Sequence, residues 1–589
     1  MLFPQSFPYL GCSQKMSLDS SIEHAERLLH SLNIAENVVQ SRRQGQEQER
    51  STRDQLVPLQ TSIRTLYQAT NNVTSQVQSV ESLANDANSA EGLSIAEVCS
   101  LHGEIKKLEK AASNIQGALD ALHEVTHHCI FLKLSLYGGR GGIVGNKILP
   151  HFEKQIKDII RDVLNDNGDT TALWKVAEEC YDQATKPFGK LDAENYFAPL
   201  EEAYLQWPYD PDFESEEYYE HENRLDVDED YAAAFQEQIQ RRSDARQQDR
   251  KAWPKFWTAV LNEVPDGPTL FCPPARLHTP LSFLEDVPRY LFRTFDGASS
   301  GKNDSSVVAS IASVLMPSKS RHDLLSMDED RVTQLLYQHL NKSCFGGDGS
   351  DNLMSWTSSL LFAIQYGIWR ANIRGISLSD VKICAVDTSN FPKGQFVQDL
   401  CLLEAYRVAA QDTDKDTREF FRFRLETDDF YNGEYLSQGQ VNHAGRSCVA
   451  TLEHLLNSGL RQLYPEFGDP RGAEKWTKRV LELRRNWSPG QFTTDQEIEL
   501  ALEVARRCFE KYNSSEIALI LLGFKSRKHS RLESTDNPGQ FNRRPPKWAE
   551  KPVEVHRYWI ATEGLHCYSQ ARINGFVLQR HKALREILG

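Results

Sequence analysis

The chain contains eleven cysteines but no CxxC pair, and the count is odd. That excludes zinc-ribbon and thioredoxin-type spacings, and scattered single thiols point to reduced side chains rather than a disulfide framework. No run approaches the roughly 18 apolar residues a membrane helix requires, so no membrane partner is expected. The opening stretch MLFPQSFPYLGC lacks a basic segment and carries two prolines, which makes it a poor secretory leader. Positive charge is in deficit: 67 Lys and Arg face 82 Asp and Glu, for a net charge of −15. Nucleic-acid binders carry a basic excess or stripe, so nucleic acid is disfavoured as a partner. These absences lead to the expectation of a soluble, intracellular, cytoplasmic protein. The basic loop Lys525-Ser-Arg-Lys-His-Ser-Arg531, with Arg543 and Arg544, keeps a nuclear location open.

At roughly 150 residues per domain, the 589 residues allow three or four folded units. Residues 1–18 are expected to be a disordered tail. Residues 19–190 are helical in pattern, with two runs keeping a 3,4,3,4 apolar rhythm. One is Ile63, Leu66, Thr70, Val73, Val77, Val80, Ala84, Ala87; the other is Val98, Leu101, Ile105, Leu108, Ala112, Ile115, Leu119, Leu122. A 3.5-residue period keeps one stripe facing a partner helix. Between the runs, Gly92 is followed by Ser94-Ile-Ala-Glu97, a capping box. The pattern predicts an antiparallel helical hairpin, with self-association through the heptad helices as its sharper use. Residues 191–270 follow as an acidic linker (Tyr209 to Tyr231) and a mixed-charge helix. Residues 271–469 mix strand-like runs (Tyr290–Phe295, Val381–Val386, Glu434–Ser437) with helices, an α+β pattern. Residues 470–531 are again helical, and 532–589 comprise the basic Pro-rich loop and a C-terminal strand and helix.

Two motifs are weighed and set aside. Gly139 to Lys147 is glycine-rich, but Asn146 precedes Lys147 and Ile148 stands where a P-loop needs a hydroxyl. His123-Glu-Val-Thr-His127 fits H-E-x-x-H, in which two imidazoles four apart ligate zinc and Glu124 activates water. The motif continues a heptad helix with no evident third ligand beyond a faint Glu178/Glu179–Asp182 match. A zinc metallopeptidase is therefore the third-ranked reading, and no metal is expected.

The constellation with most information is dispersed. Arg293 lies in an aromatic strand; Ser355-Trp-Thr-Ser-Ser359 leads into a helix; a strand ending Val386-Asp-Thr388 runs on to Asn390-Phe391 and Val397-Gln-Asp399; Asn432-Gly-Glu434 precedes a small-residue turn. This order, over about Asp286 to Leu460, resembles the R-S-E class of ADP-ribosyltransferases, particularly the catalytic chains of cholera and heat-labile enterotoxins. The chain also resembles a domain family of unknown function common in filamentous fungi. The resemblance implies NAD⁺ as substrate. It makes Glu434 and Ser358 catalytic, assigns Arg293, Thr357 and Ser359 to binding NAD⁺, and puts Asn432 on the side of a protein acceptor. Asn432 departs from the Glu or Gln many transferases carry there, which leaves NAD⁺ hydrolysis or another acceptor open.

The expected fold class is thus α+β: an ADP-ribosyltransferase-like mixed β domain flanked by a coiled-coil-like helical N-terminal region and a helical C-terminal region. The competing reading is a catalytically inactive scaffold on the same fold. Arg293, Ser358 and Glu434 are expected on adjacent strands lining one cleft. Elemental analysis of the purified protein is expected to find no stoichiometric zinc; one tightly bound zinc, lost in His127→Ala, would reverse the ranking.

Overall fold

The structure, a computed structural model, describes residues 45–86, 94–139, 143–166, 173–205, 223–273, 284, 286–317, 320–341, 351–528 and 544–571. The tail 1–18, most of the acidic run and most of the basic loop lie outside the described residues. The fold is α+β with helical flanks, and the chain divides into two compact units between Val260 and Leu261. Among the described residues no helix is long and apolar enough to cross a membrane, and eight of the cysteines, Cys99 to Cys508, are free thiols.

In the first unit, helices α1 (Gly45–Asp86) and α2 (Ile95–Gly138) pack along each other as the hairpin the heptads predict. The capping box is formed. Ser94 Oγ accepts from Glu97 N–H at 3.3 Å, and Glu97 Oε2 accepts from Ser94 N–H at 2.7 Å, satisfying two otherwise orphaned donors. Leu101, Leu108, Ile115 and Leu122 are partly buried along the seam, as expected, and the positions between them shift by one. Ala111 and Ala118 are buried there, while Ala112 is exposed and Leu119 half-buried. Helices α3 (Glu153–Asp166), α4 (Leu173–Thr185), α5 (Glu194–Leu205) and α6 (Glu229–Glu263) complete the unit. Phe152, Ile156 and Ile160 on or beside α3 are fully buried, as their spacing predicts. Trp253 and Trp257 of α6 are fully buried too. Trp253 stacks on Phe152 at 5.4 Å between ring centres, and its indole N–H donates to Leu191 O at 2.8 Å. The mixed-charge helix therefore ends as core rather than linker.

The second unit is built on a six-stranded antiparallel sheet. Its strands are β1 (Tyr290–Phe295), β4 (Leu353–Thr357), β5 (Lys382–Asp387), β6 (Val397–Gln398), β7 (Glu434–Gln438) and β9 (Ser447–Thr451), in the order β6-β7-β4-β1-β5-β9. A smaller sheet joins β2 (Lys302–Asn303), β3 (Val307–Ala309) and β8 (Gln440–Asn442) in the order β2-β3-β8. Strand alternation sorts the large sheet's side chains into two layers. On one face, Tyr290 and Phe292 join a core with Leu361 and Ile364 of helix α8 (Leu360–Arg374), Val480 and Leu483 of α11 (Thr477–Asn486), Ala505 of α12 (Asp495–Cys508), Leu521 of α13 (Ser514–Leu522) and Tyr558 of α14 (Val553–Ala571). On the other, Leu291, Phe295, Trp356 and Tyr435 meet Val308 and Val441 of the small sheet. Residues expected as a separate C-terminal helical region thus share one core with the sheet. Helices α7 (Glu329–Leu340), α9 (Asp399–Ala405) and α10 (Lys415–Glu426) form a third cluster around Leu336, Leu402, Phe421 and Leu436.

One local expectation fails. Val553 onwards is helical, not a strand leading into a helix. Val555, Tyr558 and Ala561 are buried three apart, the period of a helix, and the alternation of Val553 with Val555 was too short to decide.

Trp253→Ala removes one of the two fully buried tryptophans of the first unit together with a buried hydrogen bond. It is expected to lower stability by about 3–5 kcal/mol, read as a shifted urea midpoint with the sheet unit's fluorescence transition unchanged.

Candidate functional site

The hydroxyl segment and the carboxylate expected to carry chemistry meet where β4 ends and β7 begins. Thr357 stands directly opposite Glu434 in the antiparallel register, so both side chains rise from the same face. The loop before β7 is bound to this segment. Thr357 Oγ1 donates to Asn432 O at 2.6 Å, and Ser358 N–H donates to Gly433 O at 2.8 Å. Gly433 has φ +68°, and a Cβ there would lie 2.0 Å from Ser358 Oγ, so only glycine fits this closure.

Ser359 caps α8, its hydroxyl accepting from Phe362 N–H at 3.0 Å. It also donates to Glu554 Oε1 at 2.5 Å. Glu554, on α14, is buried and takes two bonds from Arg484, at 2.8 and 2.9 Å. Burial alone would raise the Glu554 carboxyl, but Arg484 and the Ser359 hydroxyl outweigh it and hold it below the usual range. Arg484 reaches on to Tyr431 O at 3.0 Å, so the C-terminal helix and the loop before Glu434 share one cation.

Glu434 has a cation of its own. Its Oε2 accepts from Arg424 Nη2 at 2.8 Å, and the same Nη2 bonds Asp399. Asp399 is fully buried; Glu434 keeps 24% of its side chain exposed. Burial pushes Asp399 up to about 6; Arg424 opposes this and Glu434 reinforces it. Burial works against the charge of Arg424 as well, yet the two carboxylates hold it above its ordinary range. Tyr431 OH donates to Asp399 Oδ1 at 3.3 Å and accepts from Gln398 Nε2 at 2.9 Å.

Arg293 does not join this group. Phe292, its neighbour on β1, faces Thr357, so the two-residue period turns Arg293 to the opposite face, beside Cys384 of β5. There its Nη1 donates to Ser355 O at 2.7 Å and its Nε to Asn303 Oδ1 at 3.1 Å. Burial pushes the guanidinium down to about 10. The expected convergence of Arg293 with Ser358 and Glu434 in one cleft is corrected accordingly: the sheet separates them by face, although only β4 lies between their strands. Thr357, Ser358, Ser359, Asn432 and Glu434 do come together.

Residues 286–443 match a family of domains of unknown function, DUF7587. No curated protein and no solved structure matches the chain. The DUF7587 match begins with the segment entering β1 and ends just past β8, so it takes in Arg293, the hydroxyl segment, Asp399, Arg424 and Glu434. Arg484 and Glu554 lie beyond it.

In the first unit, the His123 and His127 rings lie 6.2 Å apart on α2. Glu124, which a zincin needs as its base, accepts from Lys157 Nζ at 2.8 Å. Burial, with repulsion from Arg161 and His123, holds His127 below its ordinary value. Among the described residues no group of three or more His, Cys, Asp or Glu is placed to hold a metal ion.

Sequence reasoning missed Arg424, Arg484 and Glu554. Arg424 stands in Arg422-Phe-Arg424 on a mixed-charge helix, and nothing in that string distinguishes the inward arginine from the outward one. Glu554 lies 70 residues from Arg484, beyond any local pattern.

Two outcomes follow. Gly433→Ala is expected to cost about 2 kcal/mol or more, through the left-handed φ and the displaced Ser358, measured by denaturant titration. Asp399 binds its proton more tightly folded than unfolded, so stability from this group is present at low pH and is lost as pH rises through about 6. Melting temperature against pH should therefore fall between about pH 4 and 6 relative to Asp399→Asn, in which that limb disappears.

Proposed function

We propose that this domain is an ADP-ribosyltransferase-like NAD⁺-cleaving unit centred on Glu434. The observation that carries the reading is the Thr357–Glu434 register, which sets a hydroxyl and a partly exposed carboxylate side by side on one face. Breaking the nicotinamide–ribose bond develops positive charge on the ribose, as in glycoside cleavage. A carboxylate held in place by Arg424 is preorganised to stabilise that charge and to accept a hydrogen bond from a ribose hydroxyl. Ser358 and Ser359 edge the same site. Asn432, whose Oδ1 is buried without a hydrogen-bond partner, stands on the acceptor side, where ADP-ribose passes to a protein or to water. Because Arg293 is engaged on the other face, the pyrophosphate would draw its cation from elsewhere. An intracellular setting suits the free thiols. Self-association is supported by Ile95, Val98 and Ile105, which leave an apolar stripe exposed on α2.

A second reading is favoured by a specific observation. Glu434 is tied to Arg424, and Thr357, Ser358 and Ser359 are all bonded within the chain, as in an inactive interaction domain on the same fold.

Labelled NAD⁺ separates the two. Wild type is expected to release nicotinamide, and Glu434→Gln to be slower by about 10²–10³-fold, with lysate proteins tested as acceptors. Equal turnover in both removes Glu434 from the mechanism. Neither binding nor turnover by wild type leaves the interaction domain.

A further inference from the structure

Ser355, two residues before Thr357 on the same face of β4, belongs to a network that the NAD⁺ reading does not use. His339, in the last turn of α7, sends its Nε2 to Ser355 Oγ at 2.9 Å. Its Nδ1 meets Asp351 at 2.9 Å from Oδ2 and 3.1 Å from Oδ1. Asp351 is itself aimed by Leu353 N–H, which donates to Oδ1 at 3.0 Å. A helix end, the approach to a strand and the strand itself thus contribute one residue each, 12 and 16 positions from the histidine.

We propose that Ser355, His339 and Asp351 form a nucleophilic triad that accepts an acyl group from an activated ester. The argument rests on which atom holds which proton. A carboxylate only accepts, so the neutral imidazole beside Asp351 carries its proton on Nδ1. With His339 in that neutral form Nε2 is a lone pair, and the contact at 2.9 Å is Ser355 donating into it. That is the polarised hydroxyl of an acyl-transfer nucleophile, recognised by geometry and not by chain order. His339 is nearly buried and Asp351 largely so, which keeps the pair out of bulk water. Ser355 is partly buried, as Asp351 is, and its hydroxyl oxygen is the atom that would bond an incoming carbonyl carbon. In the first step Ser355 Oγ bonds the ester carbonyl carbon and its proton passes to His339 Nε2. Collapse breaks the bond to the leaving alkoxide, which takes that proton from His339. Water then gives a proton to His339, its oxygen bonds the acyl carbon, and the acid leaves as Ser355 recovers its proton. Asp351 is a positioning residue throughout, steadying the imidazolium.

The test uses the full-length protein, a fluorophosphonate probe and p-nitrophenyl acetate. Peptide mapping of the labelled wild type is expected to find the phosphonyl adduct on Ser355. His339→Ala should label at least about 10²-fold more slowly, and Ser355→Ala should neither label nor turn over the ester. Asp351→Asn should slow labelling, and Asp351→Glu should restore part of it, which loss of a purely structural contact would not predict. Glu434→Gln should label as wild type does, so a failed NAD⁺ assay leaves this result standing. An unlabelled wild type, or an adduct mapped to any residue but Ser355, overturns the triad whatever the variants do.

Discussion

The antiparallel pairing of β4 between β1 and β7 is the constraint on which the rest of the second unit depends. A strand places successive side chains on opposite faces, so one register decides every neighbour at once. With Phe292 opposite Thr357 and Thr357 opposite Glu434, the hydroxyl and the carboxylate must share a face and Arg293 must leave it. A slip of one residue between β1 and β4 would bring Arg293 to the Glu434 side, but it would also turn Phe292 out of its core and Leu291 away from Trp356. Burial of those apolar side chains, each worth about 1.5–3 kcal/mol, enforces the register and so determines the chemistry available on each side.

Polar groups complete what the register begins. Arg424 and Arg484 are two cations that each satisfy groups arriving from distant parts of the chain. Arg424 binds Asp399 and Glu434; Arg484 binds Glu554 and the Tyr431 carbonyl. A buried ion pair contributes little net stability, because desolvation offsets the attraction, but removing one partner leaves an uncompensated charge. Such pairs therefore act as conditions on the fold: α10 must approach β7, and α14 must approach Ser359. The DUF7587 match stops short of Arg484 and Glu554, yet Ser359 within it depends on both for its partner.

Local physics was legible where the determining interactions are near in sequence. The Ser94–Glu97 box, the Ile148 to Ile160 helix face, strands β1, β5 and β7, and helix α8 follow from spacing, capping and alternation alone. On α2 the seam kept Leu101, Leu108, Ile115 and Leu122 but moved to Ala111 and Ala118 between them, because a 3.5-residue stripe admits two neighbouring assignments until the partner helix is present. Val553 failed for a related reason, since two β-branched residues two apart fit either period.

Thr357, Asn432 and Glu434 could be singled out from the sequence by the order of motifs in which they stand, whereas the tight closure at Gly433 shows only in its left-handed φ and its contact with Ser358. The sequence by itself determined the composition of each element and hence the α+β class. It also carried the apolar faces that bury Trp253 in one unit and Phe292 in the other. Tertiary structure alone decided the partners: Arg424 rather than Arg293 for Glu434, Glu554 for Ser359, His339 for Ser355. Strand order and register are set by the summed burial of whole faces, a property of many residues at once, whereas a motif records only the few that stand in line.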